Sequence, residues 1–198
     1  IQKLQNYLKV KDYKNVVYGC KKLINKFPEN PFLFNLLALA LHGNGNYLIA
    51  IDNFKKALDL DSNFLPAKNN LANSYKAIGN FEKAEFYYKN ILEIKPNYIH
   101  ALNNYANLKI EINDHNEAIP LLEKAILISN QRNIKAIDIM LTLASVYQSI
   151  NNLEKTREIL DEIFSIKPKW PKAHKLLSEI TKYSSDDSKS LSHIEEMK

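Results

Sequence analysis

The chain has 198 residues, of which 45% are hydrophobic and 25% are charged, so it has the composition of a folded protein rather than a disordered one. Only 4 Gly and 7 Pro leave little material for the many turns of an all-β fold. The net charge is +5, and the Lys and Arg residues are interspersed with acidic ones. There is no basic stripe with interleaved aromatic residues. We therefore expect no nucleic-acid partner. A single cysteine, Cys20, excludes an intramolecular disulfide and a multi-cysteine zinc site.

No run of apolar residues approaches the roughly 20 needed to cross a bilayer, so we expect no membrane partner. No signal peptide is recognisable, and we expect a cytoplasmic protein. The chain begins with Ile1 instead of an initiator Met, which is typical of a piece trimmed from a longer sequence.

Along the chain, a periodicity of 34 residues dominates the pattern. The small residues Ala50, Ala84 and Ala118 recur at this interval. Larger apolar residues recur in step with them: Phe54, Tyr88 and Leu122; Ala57, Ile91 and Ala125; Leu37, Leu71 and Tyr105. A period near 34 with small and large apolar residues at fixed offsets indicates a helical solenoid. In such a fold each repeat buries its apolar face against its neighbours.

This register divides residues 1–183 into an array. The predicted repeats cover about 1–30, 31–64, 65–98, 99–132 and 137–170, with a partial repeat at 171–183. The first repeat is truncated at its start, and Asn133–Ala136 are extra residues at which the register slips by four. Each repeat contains two apolar-periodic stretches of about a dozen residues, which predicts two helices. Residues 184–198 are predicted to form a polar linker and a short capping helix.

Capping residues and prolines mark the ends of the predicted helices. Asn46, Asn80, Asp114 and Asn152 precede the second helices, where a side-chain oxygen can accept from free backbone N–H groups. Glu117 follows Asp114 by three residues and predicts a capping box. Five prolines fall after second helices or in the first turn of first helices: Pro28, Pro96 and Pro168, and Pro31 and Pro171.

These residues resemble the tetratricopeptide repeat pattern. The third repeat matches it best, through Leu71, Ala72, Tyr75, Gly79, Ala84, Tyr88 and Pro96. The second repeat supplies Phe34, Leu37, Ala38, Gly45, Ala50, Phe54 and Ala57. The departures are Lys109 in place of Tyr, Asn113 and Asn151 in place of the turn Gly, and Thr156 in place of Ala. The resemblance implies an all-α, right-handed superhelical solenoid of antiparallel helix pairs that binds a protein or peptide on its concave face.

In this family the first helix of each repeat lines the groove, with inner positions that include the fifth, sixth and ninth. Asparagine occupies them repeatedly: Asn35, Asn69 and Asn103; Asn70 and Asn104; Asn73 and Asn107. An amide offers donors and an acceptor, so a ladder of amides can pair with the backbone of an extended peptide. Asn70 and Asn104 resemble by position the ladder of the protein O-GlcNAc transferases. The alternative is compositional, because the whole chain is rich in Asn, Lys and Ile, as an AT-rich genome would produce.

We find no sequence signature of catalysis, and we expect neither a cofactor nor a metal. None of the five histidines is spaced from another His or a Cys as metal ligands are. There is no Gly-rich phosphate loop and no Gly-x-Ser-x-Gly elbow. A carboxylate clamp is disfavoured, because only Lys175 supplies a cation at the required positions. The sequence therefore predicts a non-enzymatic binding scaffold.

Two alternatives stay open at the level of the sequence. The C-terminal end resembles the junction at which bacterial tetratricopeptide repeats precede a sulfotransferase domain, through Trp170–His174, Tyr183, Asp186–Asp187 and His193–Met197. That resemblance implies an N-terminal recruiting or assembly arm of a larger bacterial transferase whose catalytic domain is absent here. The other alternative is a homo-oligomer, because the exposed ends of a solenoid can self-associate.

Overall fold

The computed structural model describes residues 1–181, and within that range it contains eleven α-helices and no strand. The prediction of an all-α fold is confirmed. Most helices that follow one another in the chain are in contact. The helices are α1 Gln2–Lys9, α2 Tyr13–Ile24, α3 Pro31–Gly43, α4 Tyr47–Leu60, α5 Leu65–Ala77, α6 Phe81–Ile94, α7 Ile99–Glu111, α8 His115–Gln131, α9 Ile137–Ser149, α10 Leu153–Ile166 and α11 Pro171–Thr181.

The chain divides into two compact units, Ile1–Asn104 and Tyr105–Lys198, and the boundary lies inside α7. The first unit contains α1 to α6, and its first core cluster is built on Leu4, Val16, Cys20, Leu36, Leu37 and Ala40. In the second unit one cluster joins Ala106, Leu122, Leu143 and Val146. A further cluster there surrounds Leu160, Ile163, Trp170 and Ile180.

The periodic small and large residues form the core between helices. Ala50, Ala84 and Ala118 have no exposed surface, and neither do the larger residues Phe54 and Tyr88. An alanine at these places lets two helix axes approach, and the large side chain one turn later fills the space beside it. The 34-residue pattern is therefore a packing pattern.

The turn inside each helix pair is closed by one residue with a left-handed backbone. These residues are Lys11, Gly45, Gly79, Asn113 and Asn151, with φ between 59° and 82°. The backbone N–H of the next residue donates to a carbonyl five residues earlier, as in Asn80 N to Tyr75 O at 2.9 Å. This is the Schellman arrangement that ends helices. Asn113 and Asn151 replace the family glycine without changing the turn, because Asn tolerates this conformation better than other non-glycine residues.

Three of the four predicted caps make the expected hydrogen bond. Asn80, Asp114 and Asn152 each accept from the backbone N–H three residues later. Asn46 begins α4 without a side-chain cap bond.

The predicted capping box is wrong in one of its two hydrogen bonds, the one from the Asp114 backbone N–H to the Glu117 carboxylate. Asp114 Oδ1 accepts from Glu117 N at 3.2 Å, but the Glu117 carboxylate turns to Lys109 Nζ at 2.9 Å. The Asp114 N–H needs no carboxylate, because it already donates to the Lys109 carbonyl at 2.7 Å.

The register slip lies after a longer second helix. α8 has 17 residues where α4, α6 and α10 have 14, and the link to α9 contains Asn133–Ala136. Pro31 and Pro171 open α3 and α11 as expected. Pro120, which was not singled out in the sequence, lies inside α8.

The sequence-based expectations for the C-terminal end fall partly outside the described residues. Trp170 is buried and belongs to the second-unit core. The polar linker, the capping helix and the residues Tyr183, Asp186, Asp187 and His193 lie beyond residue 181. The division into an array at 1–183 and a tail at 184–198 stays a prediction, as does the arm of a larger transferase.

Candidate peptide-binding surface

The predicted asparagine ladder lies on the first helices of repeats two, three and four. α3 and α5 are in direct contact. Asn35 is on α3, Asn69 and Asn70 are on α5, and Asn103 and Asn104 are on α7 within the first unit. Successive first helices therefore present amides at matching positions.

These amides pair with one another between repeats. Asn70 Nδ2 donates to Asn35 Oδ1 at 3.2 Å, and Asn104 Nδ2 donates to Asn69 Oδ1 at 3.1 Å. In both cases the sixth-position amide of one repeat reaches the fifth-position amide of the repeat before it. The same bond thus recurs across two successive junctions.

The two partners of each bond differ in exposure. Asn35 and Asn69 are 4% and 6% exposed, whereas Asn70 and Asn104 are half-buried. A buried amide oxygen needs a donor, and the neighbouring repeat supplies it. The bond uses one Nδ2 hydrogen of Asn70 or Asn104, and their Oδ1 atoms can accept from another group.

The ninth-position amides are arranged differently. Asn73 Oδ1 accepts from the hydroxyl of Tyr88 on α6 at 2.5 Å. Tyr88 is fully buried, so Asn73 satisfies a core hydroxyl of its own repeat. Asn107, the other ninth-position amide, is half-buried and belongs to the second unit. Asn103, at the fifth position of repeat four, is also half-buried, unlike Asn35 and Asn69.

A histidine-serine pair next to the amides was not predicted from the sequence. His42 Nδ1 lies 2.9 Å from Ser74 Oγ, and that hydroxyl donates to the Asn70 carbonyl oxygen at 3.0 Å. Since Ser74 has only one hydroxyl hydrogen, His42 Nδ1 is the donor in the first bond. Burial lowers the pKa of His42 below 6.5. The sequence held no sign of this pair, because His42 and Ser74 are at different repeat positions.

The Cys20 thiol is buried in the first core cluster. Burial raises the pKa of the Cys20 thiol to about 11, although the N-terminal ammonium acts in the opposite direction, so this thiol is not activated. Within residues 1–181 no three His, Cys, Asp or Glu side chains are grouped as a metal site. Over the same stretch no helix combines the length and apolarity that a membrane crossing requires.

Comparison with known families matches three tetratricopeptide repeat models, at residues 33–64, 66–98 and 110–180. Together they cover about two thirds of the chain. No curated protein matches the chain significantly in sequence.

Solved structures give the same fold. A tetratricopeptide repeat protein of Parabacteroides merdae superposes with a TM-score of 0.74 at 19% identity, covering 99% of this chain and 76% of its own. A thermophilic tetratricopeptide repeat protein of Thermus thermophilus gives 0.72 at 17% identity, covering 90% of this chain and 99% of its own. MamA of Desulfovibrio magneticus gives 0.69 at 15% identity, covering 86% of this chain and 94% of its own. The sequence, the helix pairs and these matches together show that this chain belongs to the tetratricopeptide repeat family.

Proposed function

We propose that this chain is a protein-interaction scaffold that holds an extended peptide segment along the first helices of repeats two to four. Protein binding is the usual role of these repeats. The observation that carries the proposal is the recurring amide bond, Asn70 to Asn35 and Asn104 to Asn69. It gives two half-exposed amides the same support in successive repeats.

Two of the three fifth-position amides, Asn35 and Asn69, then act as positioning residues. Asn35 and Asn69 are buried, so their role is to fix Asn70 and Asn104 rather than to contact a peptide. Asn70 and Asn104 make the contacts with the peptide backbone. Asn73, Asn103 and Asn107 stay predictions as further contacts, and Asn73 has to keep its bond to Tyr88 while it does so.

The dimensions suit a peptide backbone. Packed helices are about 8–10 Å apart. An extended chain advances ~3.3 Å per residue. One supported amide per repeat therefore meets about every third peptide residue. Because backbone groups are the same in every sequence, such contacts provide affinity with little selection among side chains.

The recurring bond also favours a binding role for these asparagines over the alternative that they reflect a compositional bias. A bias toward asparagine places this residue at many sites, but it does not place donors and acceptors in pairs at equivalent junctions. In this chain the pair spans 35 residues both times, from Asn35 to Asn70 and from Asn69 to Asn104.

The test is an array of immobilised synthetic peptides probed with the native chain and with Asn70→Ala/Asn104→Ala. We expect the peptides captured by the native chain to bind the double variant at least tenfold more weakly in fluorescence anisotropy, with helicity unchanged. The matched control is Asn63→Ala/Asn116→Ala, which removes two exposed asparagines outside the ladder. Equal binding by the ladder variant and the control would overturn the proposal.

A further inference from the structure

The first repeat holds the whole net charge of the chain. Residues 1–30 contain seven lysines and two acids, whereas residues 31–198 contain 20 basic and 20 acidic residues. The second helix of this repeat, α2, has three lysines and no acid: Lys14, Lys21 and Lys22. Each of the second helices α4, α6, α8 and α10 has at least as many acids as bases. The fold therefore does not require an all-basic helix at this place.

The lysines of the first repeat form a row on the outer face of α2. Four exposed residues follow one another at intervals of four: Lys14, Tyr18, Lys22 and Lys26. Residues at this interval share a helix face, and Lys21 lies beside Lys22 on that face. We call these five residues the lysine stripe. It is about 18 Å long, since a helix rises ~1.5 Å per residue.

The exposure of the lysine stripe does not depend on where the chain begins. Repeat two has a repeat on either side of it, and the five equivalent positions there are also exposed: Leu48, Asp52, Lys55, Lys56 and Leu60. An outer face of the second helix is therefore open to partners within the array as well as at its end.

The positive charge of the lysine stripe is not neutralised by neighbouring acids. Among residues 1–181 none of its ammonium groups is in an ion pair. The first repeat has its two acids beyond the ends of the stripe. Asp12 caps α2 and accepts from the Asn15 side-chain amide at 2.7 Å, and Glu29 follows Lys26 by three residues. A positive potential is therefore confined to one helix face.

We propose that the lysine stripe binds an extended acidic segment of another protein, in which carboxylates alternate with small residues around one apolar side chain. Alternate residues of an extended chain are ~6.6 Å apart. Stripe residues four apart in the helix are separated by about 6 Å along its axis. Successive carboxylates can therefore meet Lys14, Lys22 and Lys26, while the apolar side chain packs on the Tyr18 ring, which is 70% exposed.

Two other classes of anionic partner fit the lysine stripe less well. A helix that binds a bilayer surface buries its apolar face in the lipid, but Val16 and Cys20 of α2 are fully buried in the protein core. Proteins that bind nucleic acid tightly neutralise about 6–10 phosphates, which is more than the four ammonium groups here. The stripe also has no arginine, the residue that binds phosphate through two parallel hydrogen bonds.

The acids that this chain could itself supply have the wrong spacing. Residues 184–198 carry them as adjacent pairs, Asp186–Asp187 and Glu195–Glu196, with Lys189 and Lys198 in the same segment. In an extended segment adjacent side chains point to opposite faces, so only one acid of each pair could meet the stripe. In a second copy, residues 31–198 are neutral overall. The inference is independent of the asparagine ladder, which lies on first helices.

The test compares three fluorescent peptides by anisotropy. The first is Glu-Ser-Glu-Ser-Leu-Ser-Glu-Ser-Glu, which reads the same in both directions and so suits either orientation. The second, Ser-Ser-Glu-Glu-Leu-Glu-Glu-Ser-Ser, has the same composition without the alternation, and the third is the sequence of residues 184–198. We expect the alternating peptide to bind most tightly, to lose affinity as salt is added, and to shift the backbone amide resonances of Lys21 and Lys22.

Matched variants locate the binding on the stripe. Lys21→Gln/Lys22→Gln should bind the alternating peptide about fivefold more weakly, a modest factor because exposed ion pairs are weak. Lys55→Gln/Lys56→Gln removes the same charge at the equivalent positions of repeat two, and it should bind as the native chain does. Lys21→Arg/Lys22→Arg keeps the charge and should keep the binding. Asn70→Ala/Asn104→Ala should also keep it, since the ladder is a separate site.

Several outcomes would overturn the inference. The alternating peptide does not bind at millimolar concentration, or the peptide with contiguous glutamates binds equally well. The repeat-two control loses as much affinity as Lys21→Gln/Lys22→Gln, which would indicate attraction to net charge alone. The peptide of residues 184–198 binds as tightly, which would make the chain's own tail the occupant. Phosphatidylserine vesicles or oligothymidylate displace the peptide at lower concentration than the unlabelled peptide does, which would assign the stripe to a membrane surface or to nucleic acid.

Discussion

The ammonium of Lys109 lies 2.9 Å from the Glu117 carboxylate, at the place where the repeat pattern has a tyrosine. The Lys109 side chain is only 6% exposed, and Asp114 lies 3.8 Å from its Nζ as a second acid. Its Nζ is also 5.4 Å from the centre of the Tyr105 ring. A buried cation needs such partners because removing it from water is costly. The departure from the family pattern is therefore compensated within the same helix pair.

Glu117→Gln removes the shorter of the two ion pairs. We expect the second unit to lose about 1 kcal/mol of unfolding free energy, a modest figure because the Glu117 side chain is 54% exposed and therefore screened. Urea denaturation at low salt measures the loss, which should shrink as salt is added. Glu93→Gln, at an exposed carboxylate, is the control and should change little. A loss from Glu117→Gln that is the same at high salt would argue against an electrostatic origin.

Asn69 and Asn104 should be energetically coupled. Asn104→Ala leaves the buried Asn69 oxygen without its donor, and we expect a loss of about 1–3 kcal/mol. If the bond is the main role of both residues, Asn69→Ala in the Asn104→Ala background should cost much less than Asn69→Ala alone. A double-mutant cycle from urea denaturation gives the coupling energy. Additive losses would show that the two amides do not depend on each other.

Much of this fold was predictable because its information is local and repeated. The positions of Ala84 and Tyr88 in the 34-residue register predicted core residues, and both are fully buried. Asn113 and Asn151 lie at the turn-glycine position of the repeat pattern, and both have the left-handed backbone that the turn needs whatever the residue. Helix type and helix order could therefore be deduced without coordinates.

The candidate site was predictable only in part, because its bonds join side chains of different repeats. The sequence placed Asn35 and Asn69 on an inner face, but their burial depends on how closely the next first helix packs. The bond from His42 to Ser74 joins unlike repeat positions, which no periodic comparison reveals.

Lys11 occupies the left-handed turn position of the first repeat, where Gly45 and Gly79 stand in the next two. A lysine there is strained, since the left-handed region costs an L-residue about 1–2 kcal/mol. We expect Lys11→Gly to stabilise the turn by about 0.5–1 kcal/mol, after the greater unfolded-state entropy of glycine is included. Amide hydrogen exchange in α1 and α2 should slow accordingly.

Gly79→Ala is the matched test in the opposite direction. No atom lies within 4 Å of a Cβ built on Gly79, so its cost would be conformational rather than steric. Exchange in α5 and α6 should accelerate. Faster exchange in Lys11→Gly would contradict the argument from backbone strain.

His42 should make the first unit less stable in mild acid. Burial lowers its pKa in the folded chain below 6.5, whereas the unfolded chain has the ordinary value of about 6.5. The unfolded state therefore binds the proton more readily, and stability falls as the pH drops below about 6.5 until the folded pKa is passed. The Nδ1 bond to Ser74 survives protonation because Nδ1 is already the donor, so desolvation of the charge is the cause. The free energy of unfolding, measured by denaturation at pH 7.5 and pH 5, should change less between the two pH values in His42→Gln than in the native chain. A titration of the His42 ring protons should give a midpoint below 6.5. A midpoint at or above 6.5 would contradict this account.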